Sequence, residues 1–172
     1  DLSLLCGLFL GHDGASTDLP FDLDLFGNYD VVGMSVMTPQ APDAYQLNSL
    51  IRNAFPHILT VIGGSHARYY QDRVSKLPSE IAFDFIVPHD GWQPMFEIAT
   101  GLAPSDAGSI ILSHQEKTLT DLPAPTRPAH LMERYNFSIA GVPAYHTVTA
   151  LGCPFTCHFC ESGIESVRTF SP

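Results

Sequence analysis

Three of the four cysteines in this 172-residue chain fall within "LGCPFTCHFCESG", residues 151–163. Cys153, Cys157 and Cys160 have the spacing C-x3-C-x2-C. Thiolates are soft ligands, suited to zinc or to an iron–sulfur cluster. Three of them leave a tetrahedral zinc one ligand short, which His158 inside the motif or a distant residue would supply. On a cubane cluster the same three leave one iron open to another ligand. Pro154 fixes the turn after the first cysteine, and so short a loop can wrap one face of a cluster. Structural zinc usually sits between paired C-x2-C knuckles, and the chain has no second pair. Residue types alone leave both metals open.

Further polar candidates stand at the ends of three apolar runs. "VVGMSVMT" brings Ser35 and Thr38, "VIGGSHA" brings Gly63, Gly64 and His66, and "FDFIVPHDG" brings His89 and Asp90. Each has a plainer reading. A glycine pair after a strand is often only a tight turn. His66 and His89, taken singly, suit loop or capping positions better than ligand positions. Met34 and Met37 suit core or pocket wall, and Trp92 suits packing under the third run. Cys6, apart from the cluster, reads as a buried structural thiol.

The elements that must position these residues can be read from the pattern. "YDVVGMSV" (29–36), "ILTVIGG" (58–64) and "FDFIVPHDG" (83–91) are strand-like. "APDAYQLNSLIRNAFP" reads as a helix capped by Asp43, with Ala44, Leu47, Ile51 and Ala54 at helical spacing and Pro56 as its stop. "QPMFEIATG" reads as a short helix. Near-continuous apolar strands separated by helices predict a parallel sheet covered on both faces, a doubly wound α/β domain. At the front, Leu4, Leu5, Leu8 and Phe9 read as a helix tail with an edge strand in "ASTDLPFDL", which would put the sheet's first strand before residue 1; alternatively residues 2–10 are themselves the first strand. Prolines at 104, 123, 125, 128 and 143 break up the next stretch. The expected division is a domain over 1–101, a linker with a small β-segment over 102–143, and a further domain starting with a strand in "AYHTVTALG" (144–152).

Composition narrows the classes. Apolar residues at 45% suffice for a core, and charged residues at 15% are too few for a disordered chain. Eight Lys and Arg against 18 Asp and Glu give a net charge of −10, which repels phosphate backbones and argues against nucleic acid. No apolar stretch reaches the roughly 20 residues of a membrane span. The opening segment lacks the basic start of a signal peptide. Clustered cysteines suit a metal site in a reducing compartment, so a cytoplasmic protein is expected.

With Phe159 directly before its last cysteine, "TALGCPFTCHFCESG" resembles the cluster motif of the radical S-adenosylmethionine superfamily. The resemblance implies that Cys153, Cys157 and Cys160 ligate a 4Fe–4S cluster. Its open iron would hold S-adenosylmethionine and cleave it reductively to a 5′-deoxyadenosyl radical, with Phe159 against the cofactor. In that superfamily the motif follows the first strand of a partial α/β barrel. "RTFSP" stands where the first barrel helix is expected, so the resemblance implies an N-terminal fragment of a longer enzyme.

The preceding domain, over roughly residues 10–101, resembles the flavodoxin- or Rossmann-like cobalamin-binding domain of the cobalamin-dependent radical subfamily. "VVGMSVMT" and the Gly-Gly-x-His of "VIGGSHA" carry the likeness, and "TDLPAP" resembles that family's linker. His89, Asp90, Gly91 and Trp92 replace the family's usual Gly-Glu-Gly-Glu, which leaves open what this loop contacts. The implied cobalamin contacts are Ser35, Met37, Thr38, Gly63, Gly64, Ser65, His66, Pro88, His89 and Asp90. Ligands of open α/β sheets bind beyond the carboxyl ends of the strands, where these segments lie. Gly63 and Gly64 would let a macrocycle approach the backbone, and Ser35 and Thr38 would hydrogen-bond a buried polar tail. No Asp-x-His-x-x-Gly motif is present, so the corrinoid is expected without a protein imidazole on cobalt. Methyl transfer to an unactivated carbon is the expected reaction. Implied partners are a small-molecule, lipid, tetrapyrrole or natural-product substrate and an electron donor such as flavodoxin or ferredoxin. Two alternatives compete: a radical methylthiotransferase, whose N-terminal domain needs three further cysteines where this chain has only Cys6, and a zinc-stabilised binding module.

Overall fold

Val31 and Val32 open a strand with both side chains buried, one on each face, a pattern that needs a sheet covered on both sides. The computed structural model describes residues 4–7, 23–104, 109–114, 119, 137–145, 148–160 and 167–169. Leu4–Gly7 (β1), Val31–Ser35 (β2), Leu59–Gly63 (β3), Phe85–Val87 (β4) and Ile110–Ile111 (β5) form one sheet in the order β1-β2-β3-β4-β5. Every neighbouring pair is parallel. The register sets Ser35 beside Gly63 and Gly63 beside Val87, so the carboxyl ends of β2, β3 and β4 share one edge.

Alternation along the strands divides the core. Val32, Met34, Ile62 and Ile86 pack with Ala44, Leu47 and Ile51 of helix α1 (Ala41–Ala54). Ala67 and Val74, from the short helices α2 (Gly64–Tyr69) and α3 (Gln71–Val74), join the same cluster. On the opposite face Val31, Val61, Phe85 and Val87 pack with Ile98 of α4 (Trp92–Ala99). Helices therefore cover both faces, as expected. A doubly wound sheet also reverses its strand order, and among the described strands the order is sequential.

Several local expectations differ from the structure. Leu4–Gly7 is a strand paired with β2, not a helix tail; a four-residue apolar run has no periodicity to separate the two. The "ASTDLPFDL" segment lies mostly outside the described residues. Helix α1 starts at Ala41, so Asp43 sits in its first turn instead of capping it, where it still complements the helix dipole. Ala54 is exposed, and Asn48 is buried in its stead. The Asn48 amide donates to the carbonyls of Ile81 (3.0 Å) and Ala82 (2.8 Å), pinning α1 to the approach to β4. Ile110 and Ile111, in the small β-segment expected within the linker, instead join the sheet as β5, and the first compact unit extends over Asp1–Gln115.

Glu116–Pro172 make the second unit. Ser138–Ile139 (β6) and Val142–Pro143 (β7) pair antiparallel. Ala140 and Gly141, with φ of 50° and 79°, form the two-residue turn that such a hairpin favours. Among the described residues of the strand expected over 144–152, Ala150–Leu151 (β8) is extended in a sheet. It pairs antiparallel with Arg168–Thr169 (β9), where the start of a barrel helix was expected. The "TDLPAP" linker lies outside the described residues.

Candidate functional site

Beyond the edge of β2 and β3 two loops are tied together through one residue. The Val36 amide donates to the Gly63 carbonyl (3.0 Å), and the His66 amide donates to the Val36 carbonyl (2.9 Å). After Ser35 the chain passes Met37, whose amide donates to Gln40 Oε1 (3.0 Å), and a 3₁₀ turn over Thr38–Gln40 leads into α1. After Gly63, Gly64 opens α2, so the expected glycine turn is a strand-to-helix junction. Ser35, Met37, Thr38, Gly64 and Ser65 are all exposed there. The rim thus offers three hydroxyls and one apolar side chain to solvent.

The glycines have an internal reason that the sequence reading did not supply. Gly64 has φ +83°, and a Cβ on it would lie 2.7 Å from the Val36 nitrogen and 2.8 Å from the Val36 oxygen. A Cβ on Gly63 would lie 3.3 Å from the Val87 oxygen. Close approach of neighbouring backbone thus requires glycine at 64 and leaves a side chain at 63 tight against the Val87 carbonyl, whatever else they face.

His66 is buried, with 8% exposure. Tyr45 Oη lies 2.7 Å from its Nε2, and Thr38 Oγ1 lies 3.4 Å from its Nδ1. The ring stacks on Tyr70 at 5.1 Å between centroids. Burial lowers the His66 pKa from the ordinary histidine value and raises that of Tyr45, favouring neutral imidazole and neutral phenol. Of the implied contacts, Thr38 and His66 are therefore joined to each other. His66 offers no open ring nitrogen to a ligand. Tyr45 was missed because it stands 21 residues from His66, and Tyr70, four residues after it, because 63–66 was read as a turn and not as the start of a helix.

At the end of β4, Pro88 is buried and His89 exposed. The Asp90 amide donates to the His114 carbonyl (3.0 Å), so the segment after β5 anchors this third loop. Trp92 begins α4 with its indole N–H buried and without a hydrogen-bond partner among the described residues. On the same face of the sheet, Gly33 leaves room for the Met95 methyl, 3.9 Å from where a Cβ would stand.

In the second unit Gly152 turns the chain from β8 into the cysteine loop with φ +93°. The Cys160 amide donates to the Cys157 carbonyl (3.0 Å), closing a turn between two of the thiols. Cys153 is half-buried, Cys157 and Cys160 are exposed, and none of the three is in a disulfide. Among the described residues no three His, Cys, Asp or Glu side chains gather into a metal-holding group. The donor types and the accessible turn suit a soft metal, but the loop is not closed around one. Phe159 is 92% exposed, so it packs against no protein surface. No described helix is long and apolar enough to cross a membrane.

Residues 25–98 match the B12 binding domain family, a span that contains all three strand-end loops. The parallel sheet is consistent with a Rossmann-like fold. The chain is similar to an uncharacterized methyltransferase of Pyrococcus horikoshii, 25% identical over 173 aligned positions, covering 89% of this chain and 37% of that protein. It is also similar to the anaerobic magnesium-protoporphyrin IX monomethyl ester cyclase of Rubrivivax gelatinosus, 28% identical over 152 positions, covering 77% of this chain and 27% of that protein. The chain thus spans about a third of the length of these curated relatives. No solved structure matches it.

Proposed function

We propose that this chain is the cofactor-holding N-terminal part of a cobalamin-dependent radical S-adenosylmethionine enzyme. The observation that carries the reading is the B12 binding domain match over residues 25–98, upstream of a C-x3-C-x2-C loop. The corrinoid would lie at the rim of Ser35, Met37, Thr38, Gly64 and Ser65, with Pro88, His89 and Asp90 at the neighbouring strand end. That rim fits such a group in its chemistry, with exposed hydroxyls for polar side chains and an exposed methionine for apolar contact. Cys153, Cys157 and Cys160 would hold a 4Fe–4S cluster, and Phe159 would cover bound S-adenosylmethionine. When bound, the cluster supplies electrons for cleaving S-adenosylmethionine, and the corrinoid supplies a methyl carrier.

Methyl transfer to an unactivated carbon is the reaction we favour, supported by a relative named as a methyltransferase. The cyclase relative supports ring closure on a tetrapyrrole as the neighbouring reading, with a small organic molecule as the proposed substrate. A flavodoxin or ferredoxin in the cytoplasm would deliver the electrons.

Anaerobic reconstitution with iron and sulfide tests the cluster. The expected product is brown, air-sensitive and carries about four irons per chain. Cys157→Ala should lose most of that iron, because His158 sits between two ligands on a short loop and is poorly placed to substitute. A colourless protein that retains zinc, or full iron in Cys157→Ala, would overturn the assignment.

A further inference from the structure

The burial of His66 and its two side-chain partners point to a role other than contact with a ligand. We infer that His66 is a positioning residue in a Tyr45–His66–Thr38 hydrogen-bonded chain, which orients the Thr38 hydroxyl as a proton donor toward an acceptor oxygen of the corrinoid periphery. This inference rests on the corrinoid reading of the strand-end rim.

The direction of the chain follows from elementary donor chemistry. A phenol is a better donor than acceptor, and a 2.7 Å separation suits O–H donation from Tyr45 to Nε2. Nε2 is then the unprotonated nitrogen, and the imidazole proton resides on Nδ1. Nδ1 faces Thr38 Oγ1 at 3.4 Å, a longer and weaker bond in which the hydroxyl oxygen accepts. With its oxygen engaged from inside the fold, the Thr38 O–H is left to donate outward, and Thr38 is exposed at the rim. The ring cannot easily turn to escape this arrangement. Its backbone amide is held by Val36, its carbonyl accepts from the Tyr70 amide at 3.0 Å, and its face is stacked on the Tyr70 ring. Arg73, with its guanidinium 5.4 Å from the Tyr70 ring centroid, backs the stack from α3. The ligand group this selects is a hydrogen-bond acceptor, an amide carbonyl or phosphate oxygen, and not a metal.

The test uses the full chain and two readouts. Long-range ¹⁵N–¹H correlation spectra of the imidazole, without corrinoid, should show the Nδ1–H tautomer for His66, shifting toward a mixture in Tyr45→Phe. Retention of hydroxocobalamin, followed by absorbance in equilibrium dialysis, should weaken about tenfold in Thr38→Val and survive in Thr38→Ser. Both substitutions at this exposed position should leave the circular dichroism of the fold unchanged. An Nε2–H tautomer, or wild-type affinity in Thr38→Val, would overturn the chain while leaving the corrinoid reading intact. A folded wild-type chain that retains no hydroxocobalamin would overturn both.

Discussion

At the scale of single residues, the strand-end rim is built on constraints internal to the protein. Gly64 combines φ +83° with a backbone contact that leaves no room for a Cβ. Gly64→Val should therefore destabilise the fold by about 2–5 kcal/mol even without ligand, from left-handed strain and overpacking together. Urea unfolding of the ligand-free variant measures this, and a wild-type midpoint would contradict it. His66 gives a pH signature. Burial depresses its folded pKa, so below the unfolded value of about 6.5 the unfolded chain binds more protons. The His66 contribution is fully present above that value and is lost as pH falls through the depressed folded value. Stability at pH 5 relative to pH 7.5 should fall more in wild type than in His66→Asn; equal losses would show that the ring titrates normally. The motif residues were legible as a group, since apolar runs ending in small or polar residues mark strand ends. The reason for each glycine was not, because close backbone approach depends on a neighbour far along the chain.

At the scale of elements, α1 and β2 through β4 were legible because their periodicity is strong and each is bounded by Gly, Pro or polar residues. A small β-segment was expected where β5 forms, but not its place in the parallel sheet, since Ile110 and Ile111 are too few to show any period and lie among serines and glycine. α2 was hidden by the glycine that opens it. The sequence also gave no sign of the tie at the other edge of the sheet. Asp84 accepts from the Thr60 amide (2.7 Å) and hydroxyl (3.1 Å) through Oδ2, and from Arg52 (2.8 Å) through Oδ1. Thr60 is fully buried, so losing its acceptor leaves an unpaired donor. Asp84→Ala should destabilise by about 1–3 kcal/mol. Arg52→Met removes only an ion pair whose side chains are 34% and 29% exposed, and should lose under about 1 kcal/mol. Equal losses in denaturant melts would mean that the ion pair, not the Thr60 bonds, carries the tie.

At the scale of the whole molecule, the chain holds two units whose proposed cofactors differ in how far the protein alone prepares for them. The strand-end rim is held by the sheet, α1 and α2, whereas the cysteine loop hangs on a two-residue strand pair and gathers no metal-holding group among the described residues. That contrast has a physical reason. Thiolate loops draw their order from the metal they bind, while a parallel sheet draws its order from the core. It also explains why the sequence motif singles out the cysteines as proposed ligands while the described residues show no metal-holding geometry. The most direct measurement is the metal content of the full chain after anaerobic reconstitution with iron, sulfide and hydroxocobalamin, followed by gel filtration. The prediction is one cobalt and about four irons on each folded chain. A chain that remains folded by circular dichroism yet elutes with neither metal would contradict it.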